Sequence, residues 1–191
     1  MRGTAREALV LGGRGDLPRT LTERLGKLGH RVRRLEADDA HTDLVADLLV
    51  LLDTTRGDPA EPVEPEDTLS RARATFDVVQ RATSTMKGRA FGRIVQVRSV
   101  PPTGSGNSLA LSAFAAAGAL GMLQELARQL ARFGITINMV TLSPAPPGDA
   151  SHPPPRGEAT VTEVAALIEM LCHDEAGFMT AQCLPLISNV S

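Results

Sequence analysis

The 191-residue chain suits one domain, 1–191, long enough to bury roughly 70% of the surface its unfolded form would expose. A formal net charge of -2 and a pI near 6.1 exclude the basic footprint of a nucleic-acid or acidic-membrane partner. Cys172 and Cys183 are too few for a disulfide framework or a zinc site, and both are expected as buried, reduced thiols.

The opening residues run directly toward a strand and hold no signal-peptide apolar region. The uncharged run from Ser99 to Gln124 has a helical part too short, and too rich in Ala, Ser and Gly, to cross a membrane. A cytoplasmic location is expected. Ala8-Leu9-Val10-Leu11 is continuously apolar, the pattern of a parallel strand covered on both faces, and Gly12-Gly13 stops it. Pro18 fits the first turn of the following helix. Leu17, Leu21, Leu25 and Leu28 share one face of that helix, and Gly29 ends it. His30 to Leu35 reads as a second strand. The link through Asp38, Asp39, His41 and Asp43 is acidic and turn-rich, a solvated connection rather than a metal site. It is so short that it leaves room for one short helix and no further strand.

Asp47 to Asp53 is again an apolar strand, followed by a Pro- and Glu-rich loop over residues 54–67. Pro65-Glu66-Asp67 suits a helix start, with acids at the positive end of the dipole. Leu69, Ala72, Phe76, Val79 and Thr83 mark its inward face, and Lys87-Gly88-Arg89 closes it. Arg93 to Val97 is the next strand. After a Gly/Pro/Ser loop over residues 101–107, Ser108 is the expected cap of a helix running to about Arg132. Phe133-Gly134 ends that helix, and Ile135 to Thr141 is a strand. Residues 142–157 form an extended Pro-rich loop containing His152, read as a solvated histidine. A helix from Thr160 to Cys172 and a strand at Leu184-Pro185-Leu186-Ile187 complete the chain. Pro185 lacks a ladder donor and favours a sheet edge. Strands interleaved with helices describe a doubly wound parallel α/β sheet, whose ligands lie beyond the carboxyl ends of the strands.

Gly92-Arg93-Ile94-Val95 leading to Ser99, Leu126-Ala127-Arg128, Gly134-Ile135-Thr136-Ile137-Asn138 and the turn from Asp174 to Thr180 form an ordered series of blocks. In residues and spacing they resemble the short-chain dehydrogenase/reductase family, especially its ketoacyl-carrier-protein reductase branch. The resemblance covers nearly the whole chain except a deleted segment between Glu36 and Asp47. It implies a truncated Rossmann-like doubly wound parallel sheet of about six strands, with the family's third strand and flanking helices deleted.

The resemblance also implies where catalytic groups belong. The family uses a Ser that orients a carbonyl, a Tyr that moves the proton, a Lys that lowers the Tyr pKa and holds the ribose, and an Asn on the preceding helix. The Ser position is Ser99, which is present. The Tyr position is Ser112, the Lys position is Ala116, the Asn position falls near Arg71, and the chain contains no Tyr. A Ser hydroxyl is far less acidic than a phenol near 10, and Ala116 supplies no cation to lower it. The family's glycine turn for the cofactor pyrophosphate maps onto Leu11 to Pro18. Gly12 matches, and Gly13 and Gly15 keep the turn glycine-rich, but Asp16 and Pro18 replace the second and third glycines. Asp16 places a carboxylate where a phosphate would sit, and Pro18 removes an N–H. Leu51-Leu52-Asp53-Thr54 replaces the family's Asn-Asn-Ala-Gly, the Pro-Gly after the sixth strand falls near Leu142-Ser143, and the deletion removes the adenine wall. Arg33 and Arg34 stand where NADP-preferring members hold the 2′-phosphate, and are read as surface arginines.

No cofactor is therefore expected, NADP(H) being the one the resemblance would imply. Helices 66–87 and 109–132 correspond to those that pair in family dimers. Residues 113–121 are apolar on every side, which points to burial on two faces and an oligomer, either a homodimer or a heteromer with an intact family member. The expected function is a non-catalytic partner or scaffold subunit. The alternative is a cofactor-independent isomerase, cyclase or dehydratase of secondary metabolism using Ser99 with Asp53, Arg98, Ser112 or His152. A third reading is an atypical NADP(H)-dependent reductase.

Overall fold

The computed structural model describes residues 4–36, 44–53, 65–99, 107–143 and 158–188. Six strands, β1 (Glu7–Gly12), β2 (Arg31–Leu35), β3 (Leu48–Asp53), β4 (Gly92–Ser99), β5 (Ile135–Ser143) and β6 (Cys183–Ile187), form one sheet in the order β2-β1-β3-β4-β5-β6. Every pairing is parallel. The helices are α1 (Asp16–Lys27), α2 (Pro65–Arg89), α3 (Asn107–Leu130) and α4 (Val161–Cys172). Among the described residues no element separates β2 from β3, so β2 is a sheet edge, as the deletion requires. Pro185 lies on β6, the opposite edge, where its missing N–H removes no bond to a second neighbour.

The apolar strand runs divide their side chains between two cores. Leu9, Leu49, Leu51, Ile94, Ile137 and Met139 face α2 and α3. Val10, Val50, Val95, Val97, Val140 and Leu142 face α1 and α4. Thr160 caps α4 through a capping box with Glu163, which satisfies two otherwise orphaned N–H groups. Leu17, Leu21 and Leu25 are fully buried as the α1 periodicity predicts, but Leu28 is exposed because it follows the last helical turn. Helix α2 closes over Lys87-Gly88-Arg89 as expected, and the left-handed residue that follows is Ala90, with φ 51°.

Three other expectations need correction. Asn107, not Ser108, opens α3, since Ser108 already lies within the helix. Leu69, placed on the inward face of α2, is 69% exposed, and inward burial begins with Val78 and Val79. Cys172 is buried, and burial pushes its thiol up to about 12, whereas Cys183 is only half-buried. The acidic cluster at Asp38, Asp39, His41 and Asp43, the loop over residues 54–64, the 101–106 loop, the 144–157 loop and His152 lie outside the described residues.

Candidate functional site at the carboxyl rim

In a parallel sheet the strands end together, and α1, α2 and α3 each start from that rim. Gly12, Gly13 and Gly15 turn the chain from β1 into α1 with φ of 76°, 80° and 70°, a region open to glycine at little steric cost. Gly15 is the residue before α1 and offers no side-chain cap. A Cβ on Gly13 would stand 2.6 Å from Leu52 Cδ1 and 2.9 Å from Pro18 Cγ. The two residues that replace polar or glycine positions of the resembled pattern therefore pack against the turn. Both are buried.

Asp16 lies in the first turn of α1, but its carboxylate is exposed and accepts a hydrogen bond from Arg19 Nη2 at 2.9 Å. Its charge is thus offset locally by a cation one turn away. Ser99 ends β4 in register with Leu142 of β5 and is half-buried at the rim. Arg98 precedes it, paired with Asp53 of β3 and Thr141 of β5. Ala116 is half-buried on α3, and Arg71 is half-buried on α2. Ser112 belongs to α3 and Asp53 to β3, but their side chains lie outside the described residues, so the backbone alone assigns them to the rim.

The opposite, amino-terminal rim holds a cluster that sequence reading missed. Arg93 is buried on β4 and donates to the carbonyl oxygens of Gly92, Gly134, His173 and Asp174 at 2.9–3.3 Å. Its guanidinium carbon lies 4.3 Å from the Phe91 ring centre, and that of Arg6 lies 3.6 Å from the same centre. Burial lowers the Arg93 pKa from its ordinary value. Asp47, also buried, accepts from Arg89 Nη1 at 2.7 Å and from the Glu7 N–H at 3.0 Å. Arg33 donates to the Val45 carbonyl at 3.0 Å and Arg34 to Glu36 at 3.1 Å. Both arginines are exposed on the edge strand, as read from the sequence.

Gln96 is another residue that sequence reading passed over. It sits mid-strand in β4, and its side-chain carbonyl has no partner among the described residues. Because β4 is buried on both faces, its apolar neighbours show no alternation to mark one polar member as unusual.

Over residues 113–121 the outer face of α3 is apolar and, among the described residues, uncovered. Phe114 is 67% exposed, and Ala113, Ala117, Gly118 and Gly121 are exposed beside it. Among the described residues no group of three or more His, Cys, Asp or Glu side chains could hold a metal ion, and no helix is long and apolar enough to cross a membrane.

Residues 69–186 match the family model described as enoyl-(acyl carrier protein) reductase. The chain is 28% identical over 127 residues to the 3-oxoacyl-[acyl-carrier-protein] reductase MabA of Mycobacterium avium, covering 58% of the chain and 48% of that relative, about half its length. Against MabA of Mycobacterium tuberculosis H37Rv it is 23% identical over an alignment of 230 positions, gaps included, covering 95% of the chain and 91% of the relative. A solved structure described as a dehalogenation enzyme superposes with a TM-score of 0.76 at 22% identity, over 100% of both chains. Identity that low carries the fold alone.

Proposed function

The chain belongs to the short-chain dehydrogenase/reductase family, close to its 3-ketoacyl-(acyl-carrier-protein) reductase branch, and within it we propose a non-catalytic oligomeric partner or scaffold subunit. One observation carries this reading: the chain contains no tyrosine. Family chemistry needs a phenol whose pKa a neighbouring cation lowers, and Ser112 and Ala116 offer an aliphatic hydroxyl and a methyl group. Loss of either group alone could be a local retuning. Their joint loss, with Leu52 and Pro18 packed on Gly13, fits a frame from which the cofactor reaction has gone. NADP(H) would need the backbone at Gly12, Gly13 and Gly15 to approach its diphosphate. Apolar side chains against Gly13 are a poor match to that group.

The partner surface is the pair of helices over residues 66–87 and 109–132. Exposed Phe114, Ala117, Gly118 and Gly121 on α3 and Leu69 on α2 support it, since small residues beside a large apolar one allow close helix contact. The occupant is a second copy or an intact family member. Co-expression with such a reductase tests this: stable co-purification supports the heteromer, and a concentration-dependent homodimer supports the second copy. A monomer in both assays removes the scaffold reading.

A second reading has its own support, because the same frame also carries a dehalogenation enzyme and is thus not confined to carbonyl reduction. Under it the chain is a cofactor-independent isomerase, cyclase or dehydratase of a secondary-metabolite pathway, with Ser99 at its centre and Asp53, Arg98, Ser112 or His152 assisting. Turnover that disappears in a folded Ser99→Ala protein would favour this reading over the first.

A further inference from the structure

Paired charges are common on this surface. Among the described residues Arg6 meets Asp174, Arg19 meets Asp16 and Glu23, and Arg24 meets Glu169. Arg31 meets Glu7, Arg34 meets Glu36, Arg89 meets Asp47 and Arg128 meets Glu125. Lys87 and Arg132 depart from the pattern. Both are exposed, and neither has a carboxylate partner among the described residues. Both lie instead against one ring, the Lys87 Nζ 5.4 Å and the Arg132 guanidinium carbon 4.8 Å from the centre of Phe133. The two charges therefore stand within about one Debye length of each other in moderate salt, where they still repel. Arg14, Lys27 and Arg73 also lack an acid partner among the described residues, but none of them is held against a ring.

The backbone holds the two cations together. Lys87 belongs to the last turn of α2, and Arg132 to the short 3-10 turn Ala131–Phe133 that follows α3. Just beyond them Ala90 and Gly134 are both left-handed, with φ of 51° and 71°. The Gly92 N–H reaches the Gly134 carbonyl at 3.4 Å. A Cβ on Gly134 would collide with the Ala90 carbonyl oxygen, so the missing side chain lets the two helix ends close on each other. The product is a platform at the amino-terminal rim. Phe133 is half-buried in it, Lys87, Arg89 and Arg132 are exposed, and Arg128 lies one turn back along α3. These four cations gather in a chain whose net charge is -2, and the acids beside them, Asp47 and Glu125, are already engaged by Arg89 and Arg128. Helix C-termini favour cations, but that explains neither the shared ring nor the missing acid between them.

We propose that this platform is a docking surface for an acidic polypeptide segment of a partner protein, whose carboxylates pair with Lys87 and Arg132. Carboxylates fit it better than a phosphate polymer. The carbonyl ends of α2 and of the turn after α3 face the same rim and repel a dense anion, whereas carboxylates spaced along a chain can meet the cations singly. The surface lies at the helix ends, beyond the exposed apolar residues that support the scaffold interface, so it stands or falls apart from that reading.

Fluorescence anisotropy of a labelled hexaglutamate peptide titrated with the full chain provides the test. Saturable binding that weakens as salt rises is expected. The double change Lys87→Gln, Arg132→Gln should weaken it at least about threefold, since exposed ion pairs are individually modest. Arg19→Gln, Arg34→Gln removes the same charge from α1 and the far sheet edge, and should leave the affinity unchanged. Equal weakening by both variants would mean attraction to overall charge and would overturn the surface. So would the absence of saturable binding, or binding of an equally charged oligonucleotide or of phosphatidylserine vesicles as tight as that of the peptide. If either variant fails to fold, the comparison of peptide, oligonucleotide and vesicle on the native chain still decides.

Discussion

Gly12, Gly13 and Gly15 show at the residue scale why a turn stays rich in glycine. Their positive φ values are demands of the turn itself, and Gly13 is also hemmed in by Leu52 and Pro18. Gly13→Ala should cost about 2–4 kcal/mol, the sum of left-handed strain and overpacking. A loss below about 1 kcal/mol in urea denaturation would mean that the turn relaxes freely. His30 gives a pH-dependent prediction. Its Nδ1 accepts the Arg6 backbone N–H at 3.2 Å, which requires the neutral ring. Burial lowers its pKa below 6.5, Arg6 and His173 reinforce that, and Asp174 and Asp47 oppose it. Stability from neutral His30 is therefore complete above its unfolded pKa and lost as pH falls through the lower folded value. An imidazole titration by NMR should find a folded pKa under 6.5. A value above it would contradict the hydrogen-bonded geometry. The place of Ser99 at the end of β4 was readable because the family-like blocks around it fix its spacing. Gln96 and Arg93 were not, because a doubly buried strand gives no alternation from which to assign faces.

Elements were the most legible scale, and where they misled the cause is local. Periodicity set α1 to α4 within a few residues, yet it put Leu69 inside, because periodicity picks out a face of α2 without saying how far along the helix that face meets the sheet. Gly118 and Gly121 discriminate between the possibilities for α3. Nothing lies within 4 Å of a Cβ built on either. In the isolated chain each Gly→Ala change should stabilise by about 0.5–1 kcal/mol through helix propensity. A bulky Gly118→Leu should leave the chain folded but weaken association at least about tenfold, measured by sedimentation. Unchanged association would move the interface elsewhere. At the sheet's amino-terminal rim, Arg93→Met should cost about 2–4 kcal/mol, because four carbonyls lose a shared donor. The edge strand β2 is guarded differently, by arginines paired with Glu7, Glu36 and the Val45 carbonyl, which discourage pairing with another strand.

At the scale of the whole molecule, the proposed reading separates frame from chemistry. The six-stranded parallel sheet, its two cores and its helix order keep the family's architecture despite the missing third strand. No tyrosine accompanies it, and Leu52 and Pro18 pack on Gly13, so the fold could be read from the sequence while the activity could not be inferred from the fold. The most direct measurement is a calorimetric titration of NADPH into chain of known oligomeric state, followed by a search for hydride transfer to a 3-ketoacyl thioester. The expected result is no saturable heat and no oxidation of NADPH. Saturable binding with turnover would contradict the central claim and restore the chain to the reductases.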